Sequence, residues 1–335
     1  MAVTPVTEEA PRSMMRGIGL KILSALAFTM MSAIIKLVGT PDAATGALHY
    51  PTGQVVFCRS LFALVPVYIW LFFEHDLGAA TRTNNVLGHM RRGMIGSTGM
   101  FCGFTATALL PLSDATAIGY AAPLITVILA AIVLKETVRA YRWTAVFIGL
   151  AGVIVMLWPY LANGVVLHGF GDSEARGVIF GLFGAFCSAF ATIEVRRLTG
   201  SENTAAIVFY FMLLCTGLGL FSGIAGIFWP AMRWGMPNLH DGVLLVMIGL
   251  LGGIGQITMT QSFRHADASI IASFDYMSMI WAVTIGYFLF GELPQFLVIV
   301  GACIVVCSGI FVIWRERQLG IRREKQQSVA PSRAI

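Results

Sequence analysis

The sequence predicts an all-α membrane protein of ten transmembrane helices, arranged as two inverted five-helix repeats. Three observations predict it. Of 335 residues only 12% are charged and 57% are hydrophobic, with a mean hydropathy of +0.80, whereas a soluble domain carries about 25% charge. The charges gather in short clusters between apolar runs of about 20 residues, the length that crosses a ~30 Å hydrocarbon core as a helix. The runs also echo one another at a constant spacing. A soluble fold of this length needs more polar residues than this to cover its surfaces.

In chain order the apolar segments are 17–38, 53–73, 92–111, 114–134, 142–161, 177–198, 204–229, 242–263, 268–290 and 295–314. Residues 1–16 form a polar N-terminus without a signal-peptide cleavage pattern, so the first run stays as a span. The longest loops, 39–52, 74–91 and 162–176, are rich in Gly, Asp, Asn or Thr. Pro41, Pro51, Pro111, Pro159, Pro237 and Pro294 mark expected helix ends. Residues 315–335 read as a polar, basic, disordered tail.

Ten spans put both termini on one side. With the N-terminus inside, eighteen of the 22 Lys and Arg face the cytoplasm, leaving Lys36, Arg59, Arg176 and Arg233. The same rule explains the net charge of +5 better than nucleic-acid binding does, because the basic residues form no face or tract. All six cysteines lie within apolar runs and read as small hydrophobes. Cys303 and Cys307 share a helix face but lack the further ligands a metal needs.

Residues Gly96 to Glu136 line up with Gly252 to Glu292 at an offset of 156, pairing Gly96 with Gly252, Gly99 with Gly255, Tyr120 with Tyr276 and Glu136 with Glu292. Each half, 17–161 and 177–314 about a linker at 162–176, holds five spans. An odd number inverts the second copy, and inverted repeats around a midplane site are a recurrent transporter architecture.

The segments RGMIGSTGMFCGFTATALLPLSDATAIGYAAPLITVILAAIVLKE and RWTAVFIGLAGVIVMLWP resemble the first half of an EamA-type transporter of the drug/metabolite transporter superfamily. GLLGGIGQITMTQSFRHADASIIASFDYMSMIWAVTIGYFLFGE resembles its second half, and residues 17–314 are covered. The resemblance implies ten helices around a central cavity and solute movement without ATP. Its members carry amino acids, riboflavin, S-adenosylmethionine, sugars or drugs. PTGQVVFCRSLFALVP further resembles vitamin importers, which places riboflavin first among the expected cargoes.

Charges inside spans cost about 2.5–3.5 kcal/mol each at mid-helix, so each needs a reason. Arg59 and Lys36 near the outer ends of spans 2 and 1 either snorkel to the headgroups or line an outer vestibule that meets an anionic or carbonyl-rich solute. Asp275, well inside span 9, either accepts a proton or a solute ammonium or N–H group, or serves as a protonated helix-packing contact or pairs with a base. Glu194 has Arg197 at i+3 and reads as an interfacial ion pair. Gln256 offers a neutral hydrogen bond. Tyr120, Tyr276 and Trp281 offer rings against which a flat solute stacks, or which simply pack. Pro123 is placed to kink span 4. The glycine pairs Gly99/Gly103 and Gly249/Gly253 fit close helix contact, within or between protomers.

There is no HExxH, no GxxxxGK[ST] and no GxSxG, so neither an ATP-driven pump nor an enzyme is expected, and no cofactor or metal is expected. The reading is an inner-membrane transporter of a small metabolite: riboflavin first, then amino acids or S-adenosylmethionine. Its expected site residues are Arg59, Asp275, Tyr120, Tyr276, Gln256, Lys36 and Trp281. Expected partners are that small molecule and membrane lipid, with a homodimer left open. The competing classes are an integral membrane enzyme acting on lipid and a non-transporting receptor. The six scattered histidines disfavour the former.

Overall fold

The computed structural model describes residues 14–39, 50–73, 78, 81–133, 140–162, 173–198, 201–202, 204–265 and 277–329. They form α1 (Met14–Gly39), α2 (Thr52–Phe73), α3 (Val86–Leu109), α4 (Leu112–Gly119), α5 (Ala121–Val133) and α6 (Ala140–Ala162) in the first half. The second half holds α7 (Ser173–Leu198), α8 (Thr204–Ala225), α9 (Leu239–His265), α10 (Met277–Phe290) and α11 (Phe296–Val329). No strand occurs among the described residues. Because α4 and α5 together make one crossing at Leu112–Val133, the helices give ten crossings among the described residues. Seven of these are long and apolar enough to span by themselves, and Met277–Phe290 and Phe296–Phe311 are shorter apolar helices.

Three boundaries differ from expectation, each for a local reason. Helix α3 starts at Val86 rather than 92, because the Asn85 side chain accepts the Gly88 N–H at 2.9 Å and caps the extra turns. Pro159 lies inside the last turn of α6 instead of ending it. The basic tail is helical to Val329 rather than disordered: Arg315, Glu316, Arg317 and Gln318 are strong helix formers and simply extend α11.

Span 4 breaks where Pro123 demands it. Proline at 123 has no N–H for the carbonyl of Gly119 and crowds it, so α4 stops at Gly119 and the Tyr120 N–H turns back to the Ala117 carbonyl at 3.1 Å.

The packing carries the signature of the repeat. Helix α3 runs along α7, and its counterpart α9 runs along α1; α2 packs on α9 as α8 packs on α3. Helix α10 meets α1 as α4 and α5 meet α7, while the mates α2 with α8, and α6 with α11, contact each other directly. Contacts that come in exchanged pairs are what a two-fold axis relating the halves requires.

Backbones approach closely where the sequence supplies glycine. A Cβ on Gly301 would stand 2.5 Å from the Gly152 carbonyl oxygen, locking α6 to α11. One on Gly253 would stand 2.9 Å from the Ala63 oxygen, and one on Gly184 would stand 3.1 Å from the Gly103 nitrogen. The pairs Gly249/Gly253 and Gly99/Gly103 thus serve contacts within the chain, against α2 and α7.

Polar networks sit at the two ends of the bundle. At one end Lys36 pairs with Glu292 at 2.5 Å and donates to the Leu110 carbonyl. The other Glu292 oxygen accepts the Leu112 N–H at 3.0 Å, capping α4. At the opposite end Glu194 receives Arg91 at 2.7 Å and Arg197 at 3.0 Å, which bears out its expected ion pair and adds a second partner.

Candidate functional site

Arg59 lies seven residues beyond Thr52, about 10 Å along α2 at 1.5 Å per residue. It is 5% exposed and does not snorkel. Its Nη1 meets the Met212 sulfur at 3.1 Å, and its Nε is closed off from solvent with no acceptor among the described residues. The guanidinium lies over Gly252 of α9, where a Cβ would come within 3.1 Å of both the Arg59 Nε and the Met31 sulfur. Only a glycine leaves that space.

A second arginine, read from the sequence as a loop-flanking cytoplasmic residue, reaches the same region. Because the Asn85 cap lengthens α3, Arg92 sits almost two turns inside that helix. Its guanidinium lies 3.9 Å above the centre of the Phe211 ring, with Nε and Nη1 closed to solvent and without acceptors among the described residues. It rests on Gly96, where a Cβ would collide with Nη1. The two arginines meet α8 at adjacent residues, Arg59 at Met212 and Arg92 at Phe211. Among the described residues neither arginine has an acidic partner. An insertion cost of about 2.5–3.5 kcal/mol per mid-helix charge goes uncompensated for both.

Lys36 does not snorkel either. It is buried and satisfied by Glu292 and the Leu110 carbonyl, and so ties α1 to the α3–α4 corner and to the loop before α11. Beside it the buried Asp114 accepts hydrogen bonds from Ser113 and the Tyr160 hydroxyl. Tyr120, at the break of span 4, shares a hydrogen bond of 2.7 Å with Ser278 of α10, and so joins the mates of spans 4 and 9. Trp281 of α10 holds its indole N–H buried without an acceptor among the described residues. Gln256 stands on α9 one turn past Gly252, half-buried. Asp275 and Tyr276 lie outside the described residues.

The structure therefore joins Arg59 with Arg92, keeps Tyr120 with Ser278 at the span 4 break, and sends Lys36 to an end network. Sequence reasoning missed Arg92 because a run of basic residues beside a loop reads as a topology signal. Two signals for it were present: Asn85 as a cap three residues before Gly88, and the repeat pairing of Gly96 with Gly252.

Comparison with known proteins fits this architecture. The profile of the EamA-like transporter family matches residues 15–158 and 175–314. The chain belongs to the EamA-like transporter family. Its relatives include the pseudopaline exporter CntI of Pseudomonas aeruginosa strain UCBPP-PA14, 26% identical over 88% of this chain and 94% of that one. They also include the S-adenosylmethionine uptake transporter of Rickettsia felis, 23% identical over 95% of this chain and 99% of the other. One solved crystal structure overlays with a TM-score of 0.58 at 17% identity, covering 92% of this chain and 99% of its own, which shows the shared fold. As a member of the EamA-like family the protein is a multi-pass inner-membrane transporter of small molecules, not an enzyme.

Proposed function

We propose that this EamA-like protein is a secondary transporter that carries a small metabolite by alternating access, without ATP, around a site between residues 17–161 and 177–314. Both termini then face the cytoplasm. The observation that carries the reading is the exchanged pairing of helices around α2 and α8, with the buried Arg59 of α2 held against Met212 of its mate α8. A polar group held on the axis relating two inverted repeats is reached equally from either side when the halves rock. Arg59 and Gln256 face the solute in this scheme. Tyr120, Trp281 and Tyr276 supply rings, Asp275 an acid and Lys36 an end contact that opens and closes.

The relatives are named a pseudopaline exporter and an S-adenosylmethionine uptake transporter, which supports a small metabolite as cargo and S-adenosylmethionine among the first to test. Riboflavin, first in the sequence reading, has no anionic group for Arg59 and drops behind S-adenosylmethionine and amino acids. Counterflow in proteoliposomes loaded with S-adenosylmethionine, tryptophan or riboflavin tests the proposal. Exchange of at least one of these, lost in Arg59→Gln, is expected. A well-folded protein that exchanges none of a broad metabolite panel overturns it.

A further inference from the structure

We infer that Arg59 and Arg92 together form a binding subsite for an anionic oxygen group, a carboxylate or a phosphate, on the transported solute. The inference rests on the transport reading above and narrows it to a class of cargo.

Four observations converge. Arg59 is 5% exposed, and its Nε has no acceptor among the described residues. Arg92 presents a second guanidinium whose Nε and Nη1 likewise have none among them. The two come from α2 and α3 and meet α8 at adjacent residues, Arg59 at Met212 and Arg92 at Phe211. The glycines that make room for them, Gly252 under Arg59 and Gly96 under Arg92, are mates at the 156-residue offset. Gly96 is ten residues into α3 and Gly252 thirteen into α9, about 15 and 20 Å from the respective helix starts and near the middle of each helix. The repeat has thus made two equivalent clearings at mid-depth and filled each with a guanidinium.

Two guanidinium groups that meet adjacent residues of α8, with no acid among the described residues, repel each other in a medium of low dielectric, where an opposite charge is attracted strongly. A planar carboxylate or a phosphate satisfies the fork geometry of arginine with paired N–H donors. The Phe211 ring, 3.9 Å from the Arg92 guanidinium, helps to hold that charge in place. Structural arginines in membranes are paired; among the described residues these two have no acidic partner, which marks them for a charge brought by the solute.

Two measurements test the subsite. In the first, the purified full-length protein is unfolded thermally in detergent, in sodium chloride and in sodium phosphate of equal ionic strength. Phosphate is expected to raise the wild-type Tm by several degrees, and this gain disappears in Arg59→Met and Arg92→Met. In chloride each variant melts at or above the wild-type temperature, because an uncompensated buried charge has gone. Variants that melt lower in chloride, or that keep the phosphate gain, overturn the inference. Arg59→Lys and Arg92→Lys keep part of the gain and check that the fold is intact.

The second is competition in counterflow between matched pairs: S-adenosylmethionine with its decarboxylated form, flavin mononucleotide with riboflavin, tryptophan with tryptamine. The anionic member competes at least tenfold better, and Arg59→Gln or Arg92→Gln removes the difference. Equal competition within every pair overturns the inference. If no solute exchanges while the phosphate gain behaves as expected, transport fails and the subsite stands. If solutes exchange without charge preference, transport stands and the subsite fails.

Discussion

Removing the Glu292 carboxylate should loosen one end of the bundle by an amount the geometry bounds. Glu292 holds Lys36 at 2.5 Å, the two side chains being 22% and 9% exposed, and its second oxygen caps α4 through the Leu112 N–H at 3.0 Å. At an effective dielectric of about 20 the Coulomb attraction is about 6–7 kcal/mol. Desolvating the two ions cancels most of it. Breaking a fully buried pair costs about 3–5 kcal/mol. Here Glu292 keeps some solvent, and the Leu110 carbonyl still receives Lys36, so Glu292→Gln is expected to cost about 2–3 kcal/mol. For a chain of this size that lowers Tm by about 3–4 °C. Lys36→Met leaves a carboxylate with the Leu112 N–H and part of its water, and is expected to cost less. The double variant should lose less than the two single losses combined, with a coupling of about 2 kcal/mol. Tryptophan fluorescence melts of the four proteins in detergent measure this cycle. Additive losses would falsify the view that the pair, rather than two separate side chains, holds this end closed.

Gly301→Ala places a methyl 2.5 Å from the Gly152 carbonyl oxygen, a backbone atom that cannot swing away. It should cost about 1–3 kcal/mol and drive α6 from α11, read as a lower Tm and poorer yield. A variant as stable as wild type rules out the close crossing. Pro123→Ala returns an N–H to the Gly119 carbonyl and straightens span 4, so Tm should rise while transport slows several-fold as Tyr120 leaves Ser278. Unchanged transport would show that the break is only structural. At the opposite end, desolvation raises the Glu202 pKa, but the Asn84 N–H, His89 and Thr83 outweigh it and hold the carboxyl below its ordinary 4.5. A depressed carboxyl stabilises the fold above the ordinary value and loses that contribution as pH falls from 4.5 toward the lower folded value. Glu202→Gln should therefore flatten the fall of Tm in that acid window; a curve that still parallels wild type counts against the assignment.

Most of the fold was legible because a bilayer admits few solutions. A run of about 20 apolar residues has to be a helix when no water is present to satisfy its backbone. The placing of ten segments, the break at Pro123 and the Glu194–Arg197 pair followed from local chemistry. The misreadings had local causes too. Arg92 was taken for a topology marker because the cap that extends α3 is one asparagine, and the tail was taken for coil because charge was weighed above helix propensity.

By itself the sequence determined the number and length of the crossings, the inversion of the halves and the class of protein. These depend on hydropathy, on spacing and on the parity of five, all of which are properties of the chain read along its length. Only the tertiary structure decided the partners of the charges. Lys36 and Arg59, alike on paper as basic residues near outer helix ends, separated completely: one found Glu292, 256 positions away, and the other found the Met212 sulfur and no acid among the described residues. Pairing depends on distance in space, and distance is settled only when ten helices have chosen their neighbours.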